Sequence, residues 1–151
     1  MIPFSVNMRL GLWVEDLRMG LKQGLKAIAP LGVEAVGIDA FSSEWTPRTL
    51  TQSGRRDLAQ YIRAKGAVLA AVRADVGGRR LADPAALDVN ITKLHDALQL
   101  AAELGAAHLV VPGGYVPAET ENEATVRGVL AEAARTLAAQ AATYGTRVCW
   151  V

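Results

Sequence analysis

Four glycines recur along this chain at nearly regular intervals, and each separates an amphipathic stretch from an apolar run. Gly32, Gly66, Gly105 and Gly145 follow one another at 34 to 40 residues. A glycine just after a helix adopts the left-handed conformation that ends it, so each one predicts a helix exit before a strand. Strands that alternate with helices predict right-handed crossovers and a parallel sheet. Residues 1–151 are therefore predicted to form one α/β domain of repeated strand–helix units.

Five short apolar runs are the predicted strands of this repeat. Most are continuous rather than alternating, which is typical of parallel strands covered on both faces. They comprise residues 10–14, 33–39, 67–74, 108–112 and 147–151.

Four amphipathic helices are predicted between these strands. Asp16 precedes the first helix as its predicted N-cap, and Asp88 is the predicted cap of the third. The second helix spans residues 53–65 and directs Arg55 and Arg56 outward. The stripes of the other three comprise Leu17, Leu21, Leu25 and Ile28; Ile91, Leu94, Leu98 and Ala101; and Val126, Leu130, Ala133, Leu137 and Tyr144.

Two architectures fit such a repeat. A doubly wound open sheet of five strands would be complete at this length, whereas a TIM barrel needs about 250 residues. The first strand runs into Trp13-Val14-Glu15-Asp16, which is acidic and lacks the glycines of a phosphate-binding loop. The chain also stops inside its fifth strand. The favoured prediction is therefore a TIM barrel of (βα) repeats, truncated to about four and a half units.

Composition narrows the possible partners. With 51% apolar residues, 21% charged residues and a net charge of +1, the chain can bury a core and has no strongly basic face. A nucleic-acid partner is not expected. No window approaches the roughly 18 apolar residues of a membrane span, and the start of the chain does not resemble a secretion signal. Cys149 is a lone cysteine, which fits a reducing compartment, so a cytoplasmic protein is expected.

Three stretches carry a resemblance to a known family. Residues 31–39, 101–114 and 144–151 read LGVEAVGID, AAELGAAHLVVPGG and YGTRVCWV. They resemble the xylose isomerase-like TIM-barrel superfamily, and most of all its sugar phosphate isomerase/epimerase branch. The resemblance covers nearly the whole chain and identifies it as the N-terminal half of such a barrel.

That resemblance implies a divalent metal, Mn, Mg or Co, held at the barrel mouth by two Glu, an Asp and a His. The first Glu is expected just after the fifth strand, so the resemblance implies that none of the four ligands lies on this chain. It also disfavours the DNA-cutting branch, whose zinc cluster uses histidines at the ends of strands three and four. Arg73 and Val111 stand at the matching positions here.

Candidate substrate-binding residues follow the strands, where the loops of a barrel carry function. Trp13 and Phe41 would form an apolar wall against a sugar ring, or pack at the rim. Asp39 would accept hydrogen bonds from sugar hydroxyls, or pair with Arg73. Arg73 would bind a carboxylate or phosphate at two points, or pair with Asp39 or Asp75.

Three more candidates follow the third and fourth strands. Asp75 leads into the glycine-rich residues 76–80, which form either a lid or an ordinary surface loop. Gly113 permits close approach of the backbone at the mouth, or only makes the turn, and Tyr115 ends the same segment. The catalytic and metal-ligand sets of this chain are predicted to be empty.

The predicted function is that of the N-terminal portion of a metal-dependent isomerase or epimerase of a sugar or sugar phosphate. In the whole enzyme, glutamates would move a proton through an enediolate beside the metal, and the fragment alone is expected to be inactive. Two alternatives stay open. One is a non-catalytic half-barrel that forms homo-oligomers through exposed sheet edges, and the other is an inosose-type dehydratase of the same superfamily.

Overall fold

A computed structural model describes residues 10–77, 81–113 and 123–151. Strands and α-helices alternate along the chain, as the repeat predicts. Each strand is one or two residues shorter than its predicted range. The elements are β1 (Gly11–Trp13), α1 (Leu21–Ile28), β2 (Ala35–Asp39), α2 (Gln52–Ala64), β3 (Val68–Arg73), α3 (Leu87–Leu104), β4 (His108–Val111), α4 (Glu123–Tyr144) and β5 (Arg147–Trp150).

Strand order distinguishes the two predicted architectures. The sheet runs β1-β2-β3-β4-β5, and every neighbouring pair is parallel. A doubly wound sheet reverses its strand order at a switch point, whereas a barrel wall adds each strand beside the previous one. The five strands therefore form part of a TIM-barrel wall, and the prediction of a partial barrel is confirmed.

The helix exits are also confirmed. Gly32, Gly66, Gly105 and Gly145 have φ angles of 70, 78, 76 and 67°. In this left-handed region a residue with a Cβ is strained, so glycine is favoured at each of these exits. Within the described ranges, none of the helices combines the length and the hydropathy of a bilayer span.

The helices cover one face of the sheet. Val36, Ile38, Val72, Leu109 and Val111 are each at most 1% exposed, and they share one apolar cluster with buried residues of the helices. Successive strand residues point to opposite faces, so the residues between them line the other face. On that face Asp39, Ala71, Arg73, His108 and Val110 are only half-buried. Within the described chain, the helices thus cover one face fully, and the other face is covered only in part.

Two predicted N-caps are also wrong. Residues 15–17 form a short 3₁₀ turn, and α1 begins only at Leu21, after Gly20. Asp16 therefore lies in the connection between β1 and α1 and caps no helix. Asp88 lies inside the first turn of α3, which begins at Leu87 without a side-chain cap.

Candidate functional site

The ends of the first three strands meet around Arg73. Asp39 and Arg73 are direct partners in the register of β2 and β3, and Trp13 is the partner of Gly37 in the register of β1 and β2. The carboxyl ends of parallel strands lie at one edge of a sheet, which in barrels is the edge that carries the active site. The topology thus places Trp13, Asp39 and Arg73 together at that edge.

Arg73 and Asp39 form a two-point ion pair. Nε of Arg73 donates to Oδ1 of Asp39 at 2.6 Å, and Nη2 donates to Oδ2 at 3.0 Å. Both side chains are 25% exposed, so the pair is shielded from much of the solvent. Of the alternatives left open by the sequence, the structure shows pairing of Arg73 with an aspartate, and this aspartate is Asp39.

Asp16 and Trp13 complete the surroundings of the same guanidinium. Nη2 of Arg73 also donates to Oδ1 of Asp16 at 3.0 Å, and Cζ lies 4.8 Å from the centroid of the Trp13 ring. The hydrogen bond to Asp39, with a smaller contribution from Asp16, raises the pKa of Arg73 above its ordinary value. Arg73 therefore remains a cation, held by two carboxylates beside an aromatic ring.

Glu15 stands beside this group. Its Oε2 atom is buried and has no hydrogen-bond partner within the described part of the chain. Burial raises the pKa of the Glu15 carboxyl, and the charge of Asp39 adds to the rise, while the backbone N–H groups of Asp39 and Glu15 oppose it. We name Trp13, Glu15, Asp16, Asp39 and Arg73 the Arg73 cluster.

Sequence reasoning missed two members of the Arg73 cluster. The sequence predicts Asp16 as the cap of α1, and it places Glu15 at the end of the first strand without assigning it a binding role. The available signal was the acidic pair that follows β1 directly at the strand end. Because α1 begins only at Leu21, both acidic residues stay in the connection at the strand end.

Phe41 and Asp75 contact residues other than those of the Arg73 cluster. Phe41 lines a groove of about 410 Å³ between the loop after β2 and the first turns of α3. Asp75 is exposed, and its Oδ1 accepts a hydrogen bond from the backbone N–H of Gly77 at 2.7 Å. Asp75 therefore makes a local turn, while residues 78–80 of the predicted lid lie outside the described ranges.

Gly113 follows β4 and lies against the end of β5. Its N–H donates to the carbonyl of Val151 at 2.7 Å. A Cβ at this position would meet Trp150 only at an ordinary contact distance of 3.6 Å. Space alone therefore does not require glycine at this position. Tyr115 lies outside the described residues.

A larger cleft of about 690 Å³ lies between α1 and α2, apart from the Arg73 cluster. Its aromatic wall consists of Trp45 and Tyr61. The backbone of Trp45 is fixed by Ser42, whose hydroxyl donates to the Trp45 carbonyl at 3.2 Å and accepts from its N–H at 3.1 Å. This cleft provides a second tryptophan environment against which binding at Trp13 can be compared.

The described residues do not suit a metal ion. Within residues 10–77, 81–113 and 123–151, no group of three or more His, Cys, Asp or Glu side chains could hold one. The carboxylates of Asp16 and Asp39 are held by the cation of Arg73 instead. No step that involves a metal is therefore assigned to these residues.

Comparison with known proteins places the chain in a family. A family model described as "Xylose isomerase-like TIM barrel" matches residues 25–150. The chain belongs to the xylose isomerase-like TIM barrel family. This agrees with the sequential strand order and confirms the resemblance seen in the sequence. No curated protein matches the chain.

Solved structures of similar fold extend the comparison. A xylose isomerase domain protein from Planctomyces limnophilus is 17% identical, with a TM-score of 0.73 over 93% of this chain and 52% of that one. D-psicose 3-epimerase from Clostridium cellulolyticum H10, solved with D-tagatose, is 18% identical, with a TM-score of 0.76 over 95% and 52%. The IolI protein, solved with a zinc atom, is 18% identical, with a TM-score of 0.74 over 95% and 51%. This xylose isomerase-like chain thus spans about half the length of these structures, and at such identities the likeness shows the fold.

Proposed function

We propose that this chain forms one wall of the substrate site in a xylose isomerase-like isomerase or epimerase of a sugar or sugar phosphate. The observation that carries the proposal is the Arg73 cluster, because it stands at the strand ends where barrels build their active sites. Structural neighbours that include an epimerase solved with D-fructose support this substrate class.

The Arg73 cluster suits the recognition of hydroxyl groups. Each carboxylate oxygen of Asp16 and Asp39 can accept more than one hydrogen bond, so both residues can receive sugar hydroxyls while Arg73 holds them in place. Trp13 adds apolar surface for the C–H groups of a sugar ring. Glu15, when protonated, would donate one further hydrogen bond. In this proposal all five residues bind and orient the substrate, and none of them transfers the substrate proton.

Metal dependence of the whole enzyme belongs to the same proposal. It is supported by the family and by the zinc atom in the IolI structure. Mn, Mg or Co would serve the isomerisation, with ligands other than the described residues.

We expect residues 1–151 to fold as one domain in the cytoplasm, to bind sugar weakly and to be inactive when alone. Predicted binding roles for Phe41, Asp75, Gly113 and Tyr115 remain part of the proposal.

Indole NMR signals test the sugar site directly. Trp13, Trp45 and Trp150 give three ¹⁵N–H indole signals, which Trp→Phe variants assign. Addition of D-fructose or D-tagatose should shift the Trp13 signal and leave the Trp45 signal, which belongs to the separate cleft, in place. Asp39→Asn should weaken the shift. Equal shifts at Trp13 and Trp45, or no shift at millimolar sugar, would contradict the proposal.

A second candidate function is that of a self-associating half-barrel. β1 and β5 stand at the two ends of the described sheet, and Leu10 and Val151 beside them are 64% and 75% exposed. Exposed strand edges offer unpaired backbone groups to another copy. This candidate predicts a dimer or larger homo-oligomer without metal.

Light scattering with two proline variants tests self-association through β5. The N–H groups of Arg147 and Val151 donate to the neighbouring strand segment, so by alternation the N–H of Val148 faces the open edge. Val148→Pro should then yield a monomer with the fold retained, whereas Cys149→Pro should damage the sheet itself. A wild-type monomer would exclude this candidate.

For the dehydratase alternative, an inosose replaces D-fructose in the NMR titration.

A further inference from the structure

We infer that the proposed sugar site selects an uncharged polyol and excludes a phosphorylated one, because Asp16 and Asp39 accept hydrogen bonds from Nε and Nη2 of Arg73. This inference rests on the proposed function and narrows its substrate class. The sequence alone left both roles of Arg73 open, since an arginine at a strand end is equally suited to a phosphate group.

The geometry around Arg73 disfavours a phosphate group. A guanidinium recognises phosphate through a planar fork of two N–H donors. In this chain the Nε and Nη2 fork is closed on the two oxygens of Asp39, at 2.6 and 3.0 Å. Nη2 makes a further bond to Asp16 at 3.0 Å. A phosphate group could use this fork only by displacing Asp39, whose bond from Nε is the shortest of the three.

The net charge of Arg73, Asp16 and Asp39 also disfavours a phosphate group. Arg73 contributes one positive charge and the two aspartates contribute two negative charges, so the three side chains together carry a net negative charge. Any ionised fraction of Glu15, which lies beside Asp39, adds to it. A phosphate dianion would therefore approach a site of its own sign in a partly desolvated setting, where repulsion is stronger than in water.

The hydrogen-bond acceptors of the site match sugar hydroxyls better than they match phosphate. Sugar hydroxyls can donate to the free lone pairs of the two carboxylates, and Asp16 offers an accessible one because its side chain is 61% exposed. A phosphate dianion has acceptors only, and the Nε and Nη2 donors of Arg73 already bond to the two aspartates. The rigid strand ends of β2 and β3 hold this arrangement, because Asp39 and Arg73 are register partners.

A phosphate titration of the 151-residue chain tests the inference. The probes are inorganic phosphate and the matched pair D-fructose and D-fructose 6-phosphate, with the Arg73 side-chain ¹⁵Nε signal as the reporter. We expect that millimolar phosphate does not shift the ¹⁵Nε signal of Arg73 in the wild type. Asp16→Asn, and more strongly Asp16→Asn with Asp39→Asn, should bind phosphate about tenfold or more tightly than wild type.

A second ion pair supplies the matched control. Arg55 donates to Glu103 at a distance of 2.6 Å, and neither residue belongs to the Arg73 cluster. Glu103→Gln therefore weakens the ion pair of a different arginine and should leave the Arg73 signal unchanged. If circular dichroism shows that the double variant is unfolded, the test uses Asp16→Asn alone. This single variant should keep the fold, because Asp16 is largely exposed.

The possible outcomes separate the inference from the proposed function. A phosphate-induced shift of wild-type Arg73, or equal phosphate affinity in wild type and the Asn variants, would overturn the inference. Failure of D-fructose to shift the Trp13 signal would instead overturn the proposed sugar site, whatever the phosphate titration shows.

Discussion

The indole ring of Trp13 occupies the space that a side chain at Gly37 would fill. A Cβ built on residue 37 would overlap the six-membered ring of Trp13, and the two residues are partners in the register of β1 and β2. Glycine at this position thus lets the ring lie across the sheet, where Arg73 packs over it. β2 thus has a glycine without a side chain at this position, and the Trp13 ring of the Arg73 cluster fills the space.

Replacement of Gly37 should therefore destabilise the protein. Gly37→Ala forces Trp13 to move or the strands to separate, and we expect a loss of about 1–3 kcal/mol in the free energy of unfolding. Urea unfolding followed by tryptophan fluorescence measures it. Gly128→Ala is the matched control, because the space around Gly128 in α4 is open and alanine favours the helix. An unchanged midpoint for Gly37→Ala would show that the ring adapts without cost.

Glu15 should make the protein less stable as the pH rises. Burial raises the pKa of its carboxyl above 4.5, so the folded state holds the proton more tightly than the unfolded chain. The free energy of unfolding should then decrease from about pH 4.5 upward, until the pH has passed the raised pKa of the folded state. Glu15→Gln should remove the contribution of Glu15 to this slope and stabilise the protein at pH 7, because an amide carries no charge that burial disfavours.

Urea unfolding of the wild type and of Glu15→Gln between pH 4 and pH 8 measures how the stability of each depends on pH. Glu132→Gln on the exposed side of α4 is the control for the loss of a carboxylate. If the two variants show the same dependence on pH, the buried oxygen of Glu15 makes no contribution to stability.

The barrel wall could be predicted because its signals are local. Gly66 and the other exit glycines follow from backbone conformation, and the apolar runs follow from burial of each strand. Asp16 shows where local reasoning fails. Its partner Arg73 lies 57 residues away in sequence, and only the sequential winding of β1 to β3 brings the two together. The same pattern of an acidic residue before a helix is compatible with a cap or with an ion pair.

Arg55 is a second case of this kind. The sequence directs it outward with Arg56, yet its side chain is only 15% exposed. Nη1 donates to Glu103 at 2.6 Å, Nε donates to the carbonyl of Leu50 at 3.1 Å, and Nη2 donates to the carbonyl of Pro47. Helical periodicity identifies the face of a residue, but it does not reveal that a long side chain bends back over a neighbouring loop.

Loss of Arg55 should loosen the loop between β2 and α2. Arg55→Ala leaves two backbone carbonyls and Glu103 without this donor, and we expect a loss of about 1–3 kcal/mol in the free energy of unfolding. Arg56→Ala, on the exposed side of the same helix, should stay within about 0.5 kcal/mol of wild type. Arg55→Lys should fall near Arg55→Ala, because an ammonium lacks the fork that reaches three acceptors. Equal stability of Arg55→Ala and Arg56→Ala would show that these bonds contribute nothing.

Divalent metal should bind the chain only when Arg73 is removed. In the wild type its cation holds Asp16 and Asp39, and the described residues contain no group of three ligands. Arg73→Ala would leave the carboxylates of Asp16 and Asp39 without this counter-charge, and carboxylate oxygens are ligands that Mn²⁺ prefers.

Paramagnetic broadening of the Trp13 indole signal by Mn²⁺ measures this, and we expect weak millimolar binding in Arg73→Ala alone. Arg55→Ala frees only Glu103 and should gain nothing. Stoichiometric Mn²⁺ binding by the wild-type chain would instead place metal ligands within these 151 residues, against the proposal above.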